Sequence, residues 1–198
     1  DNRGQSTIQV LNAKNGETIW MKNRNTRNGW ATPAVVEHEG TTQVITTASR
    51  PEAGNRKTPG KVISYDLENG NIIWECSGLT DNAIPCPIVE DGIAYCMTGY
   101  QGFSVLAVPI SGKGDQSENI LWRRELGTPY VPSPILYDGL LYFTQSNQAI
   151  LSCVDAKTGK LLMERTRLPA LSNVYASLVG AGNHLYVVGR YGKTSVLK

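Results

Sequence analysis

Ile150–Leu151–Ser152–Cys153–Val154–Asp155–Ala156–Lys157–Thr158–Gly159–Lys160–Leu161–Leu162–Met163 is the unit from which this chain is built. The same pattern runs through Val62–Ile63–Ser64–Tyr65–Asp66–Leu67–Glu68–Asn69–Gly70–Asn71–Ile72–Ile73–Trp74, and through Gln9–Val10–Leu11–Asn12–Ala13–Lys14–Asn15–Gly16–Glu17–Thr18–Ile19–Trp20. A further copy, Val105–Leu106–Ala107–Val108, is interrupted and resumes at Ile120–Leu121–Trp122. The closing residues stand 54, 48 and 41 positions apart. Self-similarity at such a period marks an array of equal supersecondary units.

The pattern sets out a small residue (Val10, Ser64, Ala107 or Cys153), then in most copies Asp or Asn, Gly and Trp. An Asp or Asn side chain accepts hydrogen bonds from turn amides, and Gly takes the backbone angle that a bulkier residue resists. The Trp, on the outermost strand, is expected to pack on a neighbouring unit while its indole N–H keeps a partner.

Working outward from the turn, short β-rich runs replace any helical spacing. Cys86–Pro87–Ile88–Val89, the Asp91–Gly92 turn and Ile93–Ala94–Tyr95–Cys96–Met97 form a hairpin sentence. Ser133–Pro134–Ile135–Leu136, Asp138–Gly139 and Leu140–Leu141–Tyr142–Phe143–Thr144 repeat it. Asp–Gly between two apolar runs is a strong hairpin signal. The spacing predicts an all-β fold, a β-propeller of four-stranded antiparallel blades with about four blades present. The expected division of residues 1–198 is strands C and D of a first blade over 5–22, blades over 30–76, 83–124 and 131–165, and an incomplete blade over 174–198. Both ends fall inside a repeat, so the chain reads as a piece of a longer protein.

Composition bounds the rest. Residues of the apolar and aromatic classes make up 40% of 198, enough for a packed core. The net charge is +2 with scattered basic residues, which argues against a nucleic-acid footprint. No apolar run is long enough to span a bilayer as a helix. The four cysteines, Cys76, Cys86, Cys96 and Cys153, include no Cys–x–x–Cys pair, and with only two histidines a zinc site is not expected. In the hairpin register Cys96 falls opposite Pro87, which disfavours a Cys86–Cys96 bridge. A Cys76–Cys86 bridge across a loop remains open beside the preferred reading of buried free thiols.

Asp155–Ala156–Lys157–Thr158–Gly159–Lys160–Leu161–Leu162 resembles the repeat of pyrroloquinoline quinone (PQQ) enzymes, the tryptophan-docking motif Leu-Asp-Ala-x-Thr-Gly-x-x-x-Trp. The docking residues it implies are Asn12, Gly16, Trp20, Asp66, Gly70, Trp74, Trp122, Asp155 and Gly159. The resemblance covers nearly the whole chain and implies a PQQ-type propeller, typically eight-bladed, of which this chain would be about half. It departs at Asn12 and Asn15 in the first copy, at Pro109 and the extra residues Ser111 to Glu118 in the third, and at Met163 in the fourth. Members of the family include periplasmic quinoprotein dehydrogenases and non-enzymatic relatives such as an outer-membrane assembly lipoprotein. A periplasmic or exported location is what the resemblance implies.

The dehydrogenases use adjacent cysteines and a Ca²⁺ held by Glu, Asn and Asp; this chain has no adjacent cysteines, and none of those ligands can be matched here. His38 and His184 read as surface residues, and no Ser–His–Asp set assembles. The leading expectation is therefore a non-catalytic segment without cofactor that binds a protein or small ligand. The alternative is a fragment of a PQQ- and Ca²⁺-dependent dehydrogenase of alcohols or sugars. By analogy with other propellers, the binding face is expected on the loops that carry Arg27, Asn28, Trp30, Arg50, Tyr100, Tyr130, Gln145, Asn173, Tyr175, Arg190 and Tyr191. The segment from Ser49 to Gly60 is longer than a blade needs. Open strand edges at the two ends predict self-association, as two copies completing a ring or as an arc stabilised by packing.

Overall fold

The computed structural model describes residues 6–27, 29–51, 57–125 and 127–198. Among these residues the regular structure is all β. β1 (Ser6–Leu11) and β2 (Thr18–Arg24) form a two-stranded sheet. β3 (Ala34–His38), β4 (Thr41–Ala48), β5 (Gly60–Asp66) and β6 (Ile72–Leu79) follow as an antiparallel meander. The next unit holds β7 (Ile88–Glu90), β8 (Ile93–Thr98) and β9 (Ser104–Pro109); β10 (Gly114–Asp115) leaves it, and β11 (Trp122–Arg124) completes it. β12 (Ile135–Tyr137), β13 (Leu140–Thr144), β14 (Ile150–Asp155) and β15 (Leu161–Arg167) form the fourth sheet. β16 (Val179–Ala181), β17 (His184–Val188) and β18 (Thr194–Leu197) form a three-stranded last sheet.

The hairpins follow from local chemistry. Asp91–Gly92 and Asp138–Gly139 both hold positive φ at each residue (49° and 74°, 56° and 75°), as a two-residue turn matched to strand twist requires. Glu39–Gly40 and Gly182–Asn183 do the same.

The core lies between sheets rather than within one. Ile45, Val62 and Trp74 of the second sheet pack with Ala94, Leu106 and Val108 of the third. The other face of the third sheet, through Tyr95, Met97 and Val105, packs with Leu141, Phe143 and Val154 of the fourth. Leu151 of the fourth meets Leu185 and Val187 of the last. Ile8 of the first sheet rests on Val44, Ile63 and Tyr65. A sheet buried on both faces needs continuous apolar strands, which is why β8 and β9 are buried almost end to end. Successive sheets packed face to face in chain order make a partial β-propeller.

At the outer corner of each unit the small residue stands opposite the large one. Val10 pairs with Trp20, Ser64 with Trp74, Ala107 with Trp122 and Cys153 with Met163. A register shift follows immediately at Val10/Leu11, Ser64/Tyr65 and Cys153/Val154. The turn itself is closed by Gly70 N–H donating to Asp66 O and by Gly159 N–H donating to Asp155 O, both at 2.8 Å. Asp155 Oδ1 accepts from the Thr158 hydroxyl (2.6 Å) and amide (2.8 Å), which holds this carboxyl below its ordinary range.

The indole of one unit then sits on the glycine of the next. A Cβ on Gly70 would lie 2.6 Å from the Trp20 ring, and Trp20 Nε1 donates to Leu67 O at 2.7 Å. A Cβ on Gly159 would lie 2.5 Å from the Trp122 ring, and Trp122 Nε1 donates to Ala156 O at 2.8 Å. Glycine is required there twice over, for its backbone angle and for the close approach.

Trp74 is handled differently because the next unit carries Pro109 and Lys113 in place of Asp and Gly. Its Nε1 donates to Gln43 Oε1 at 2.9 Å, and Gln43 Nε2 donates to Ile110 O at 3.0 Å. Ile110 holds the place of Leu67 and Ala156, so Gln43 relays the missing contact. Ser64 Oγ also donates to Gln43 Oε1 (2.8 Å). The sequence reading treats Ser111 to Glu118 as extra residues within the third copy. The structure instead sends them to the second sheet, where β10 pairs in parallel with Trp74 and Glu75 as a fifth strand. Gln116 N–H donates to Glu75 O (2.7 Å), and Ser77 N–H donates to Ser117 Oγ (2.9 Å).

All four cysteines are free thiols, so the Cys76–Cys86 bridge left open by the sequence is not formed. Cys76 and Cys96 share one core cluster. Burial, with Asp115 adding to it, pushes the Cys76 thiol up to about 11, and burial raises Cys96 further.

Candidate functional site

The loops that follow β2, β6, β11 and β15, together with those that follow β4, β8, β13 and β17, meet at one face and are stitched to one another. Arg27 bridges to Ser49, Gly29 to Ala83, Asp81 to Tyr100, Pro129 to Ser146 and Gln148 to Asn173. Trp30 N–H donates to Ala83 O (2.8 Å), Tyr130 N–H to Ser146 O (3.0 Å) and Arg190 N–H to Asn173 O (2.9 Å). Backbone groups that would otherwise be stranded outside the sheets are satisfied this way, and the loops gain a fixed frame. Thr98 reinforces it, with its hydroxyl accepting from Thr80 N–H (2.9 Å) and its carbonyl accepting from Thr128 Oγ1 (2.6 Å).

Two aromatic groups stand on that frame. Tyr100 and Tyr130 stack with centroids 4.8 Å apart, and Asn82 Nδ2 donates to the Tyr130 hydroxyl at 3.3 Å. Arg190 lies 5.4 Å from the Tyr175 ring centroid and 6.0 Å from that of Tyr191, within cation–π range of both. Trp30 is 55% exposed, Tyr175 43% and Tyr191 76%, far more than aromatic side chains of a packed core. A depression of about 250 Å³ is lined by Leu171, Ser172, Arg190, Tyr191 and Lys193.

Three of the expected contact residues are less exposed. The Arg50 side chain is only 10% exposed and lies 3.9 Å from Asp81, itself 10% exposed. It lines a cavity of about 580 Å³ with Thr80, Gln101, Phe103 and Arg123. Gln145 is half-buried and accepts from Arg165 Nε at 2.8 Å. Asn173 is half-buried and spends its backbone carbonyl on Arg190. Asn28 lies outside the described residues. Asn82, which holds positive φ (54°) and reaches the Tyr130 hydroxyl, is a candidate that sequence reading missed; its place in the polar run Thr80–Asp81–Asn82 is the signal that could have marked it.

The two histidines lie away from this face, at the turns between β3 and β4 and between β16 and β17. His38 meets Glu39 at 3.9 Å, and His184 Nδ1 lies 2.7 Å from Gly182 O. Among the described residues no three His, Cys, Asp or Glu side chains come together as metal ligands. What the arrangement offers is contact chemistry: flat aromatic surface, a guanidinium held over it, and a rigid loop frame.

A family model described as outer membrane protein assembly factor BamB matches residues 2–163. The chain belongs to this PQQ-like repeat family. Among solved structures it is similar to BamB from Moraxella catarrhalis, at 15% identity and a TM-score of 0.61, covering 96% of this chain and 54% of that one. It thus spans about half the length of that BamB. It is also similar to the computationally designed Ika4 protein (14% identity, TM-score 0.54, 84% of this chain and 91% of that). A third likeness is to quinohemoprotein alcohol dehydrogenase from Comamonas testosteroni (13% identity, TM-score 0.57, 97% of this chain and 40% of that). At these identities the shared property is the fold. Against curated protein sequences the chain has no significant match.

Proposed function

We propose that this chain is a non-catalytic binding segment of an exported propeller, and that a partner protein docks on the loop face. The observation that carries this reading is the exposed Tyr175–Arg190–Tyr191 group on a hydrogen-bonded loop frame. Aromatic and Arg side chains of this kind supply large contact area at low entropic cost and dominate interface energetics. Family membership supports a role in envelope assembly and a periplasmic location, since the matching model is named for an outer-membrane assembly factor.

Alanine at Trp30, Tyr175, Arg190 and Tyr191 together should weaken capture of the partner from an envelope extract at least tenfold, roughly the loss of one hot-spot contact. The melting temperature should stay unchanged, because these side chains are exposed. Capture equal to that of the unaltered chain would reject the face.

The fold likeness to an alcohol dehydrogenase favours a second reading, a fragment of a PQQ enzyme. The described residues bring no calcium cradle together, and the chain has no adjacent cysteines. No residue of this chain is assigned to PQQ or Ca²⁺. Alcohol-dependent dye reduction after addition of PQQ and Ca²⁺ would favour this reading over the first.

A further inference from the structure

We propose that the cavity between the second and third sheets binds an uncharged, hydroxyl-rich ligand, a saccharide of one or two rings. This inference stands independently of the partner proposed for the loop face.

The cavity is built where the chain departs from its repeat. It holds about 580 Å³, within the range of small-molecule sites. Two segments exceed what a blade needs, Ser49 to Gly60 and Ser111 to Glu118. The first supplies Arg50 and Pro59 to the wall, and the second supplies Ser117 and Glu118. The rest of the wall comes from the end of β6, the β8–β9 loop and β11. Both surplus segments thus border one space, although they are far apart in sequence.

That wall is held in place. Ser77 N–H donates to Ser117 Oγ at 2.9 Å, which ties the inserted segment to β6. Gly102 holds φ 132°, and a Cβ there would lie 3.0 Å from Thr80 Cγ2, so the β8–β9 loop closes directly on the end of β6. The Thr80 hydroxyl lies 2.9 Å from Thr98 Oγ1 and 3.2 Å from Tyr100 O. A wall fixed in this way is largely preformed, as small-molecule sites are.

Its polar groups are unspent. The Arg50 side chain is 10% exposed, yet among the described residues its Nε and Nη1 have no hydrogen-bond partner. Asp81 Oδ2, on a side chain buried to the same degree, has none either. Arg50 Nη1 and Asp81 Oδ2 stand 3.9 Å apart, too far for a direct hydrogen bond. Buried polar groups are nearly always satisfied, so an orphan donor beside an orphan acceptor calls for a group that accepts from one and donates to the other. A hydroxyl does both, whereas a carboxylate only accepts and an ammonium only donates. Arg123 of β11 and Glu125 just after it repeat the spacing, again 3.9 Å apart, with more of each side chain exposed.

Charge agrees. Arg50 and Arg123 in the lining are matched by Glu118 and Glu125, so the cavity favours neither an anion nor a cation. Planar guanidinium and carboxylate groups, with the Gln101 amide beside them, suit adjacent hydroxyls taken two at a time. Phe103, half-buried, offers a flat apolar face for the C–H side of a sugar ring.

Titration calorimetry with maltose, lactose and N,N′-diacetylchitobiose should show at least one of them binding with a Kd below about 1 mM. Arg50→Met keeps the length but removes the donors, and should weaken that binding at least about tenfold. Glu118→Ala, at an exposed residue of the inserted segment, should weaken it about threefold, and it decides the matter should Arg50→Met fail to fold. The fourfold alanine variant of the loop face should bind the sugar as the unaltered chain does, so the two proposals fail separately. Absence of binding by all three sugars up to about 10 mM would overturn the proposal. So would an affinity indifferent to both substitutions, or binding of citrate or spermidine in place of the sugars.

Discussion

Trp122 and Trp74 occupy the same place in two consecutive repeats and are held by different means. Trp122 is half-exposed and reaches the next unit directly, with its ring on Gly159 and its N–H on Ala156 O. Trp74 is fully buried and reaches Ile110 O only through Gln43, under cover of a fifth strand. The contrast teaches that the outer corner is a requirement on contacts rather than on a motif. Where Pro109 and Lys113 remove the Asp and Gly, a buried amide and an added strand restore the same connection. The substituted corner is also the more deeply committed of the two, because it depends on residues from three strands and an insertion.

That asymmetry can be broken by mutation. Trp74→Ala empties a sealed site and should cost about 3–5 kcal/mol, against roughly half of that for Trp122→Ala, whose side chain leaves less area to lose. Equal losses in urea unfolding would show that the two corners are energetically alike. Gln43→Leu keeps the volume but strands the Trp74 N–H, the Ser64 hydroxyl and the Ile110 carbonyl. It should cost about 2–3 kcal/mol, in the range for unsatisfied buried polar groups. A cost under about 0.5 kcal/mol, the level of an ordinary surface change, would mean that the relay contributes little.

The smallest effect concerns pH. The Cys76 thiol titrates near 9.0 when unfolded and near about 11 in its buried place behind Trp74. A group whose pKa is raised by folding contributes fully below the unfolded value, and its contribution is lost as pH rises through the folded value. The melting temperature should therefore fall between pH 9.0 and about 11, and Cys76→Ala should make that fall shallower. An identical alkaline profile in the variant would remove Cys76 from the explanation.

What could be read in the sequence was local. The Asp91–Gly92 and Asp138–Gly139 turns announce their hairpins within a few residues, and the Asp66–Gly70–Trp74 spacing announces a corner. The destination of Ser111 to Glu118 was not legible, because β10 pairs with residues 40 positions earlier and carries no strand pattern of its own. Gln43 gave no signal either, since a Gln at the start of a strand reads as solvent-facing until Ile110 is brought beside it. The same holds for the face. Tyr175, Arg190 and Tyr191 were singled out by type, but their convergence needed the fold. Arg50 looked like a contact residue and proved sequestered against Asp81, a partner 31 positions away.

The parallel addition of β10 to β6 also bears on how relatives of this chain can diverge. An insertion in one repeat here serves as the outer cover of the repeat before it. Trimming that insertion would therefore uncover Glu75 and Ser77 rather than merely shorten a connection. Gln43 and the inserted segment both serve Trp74, so a change in one bears directly on the other.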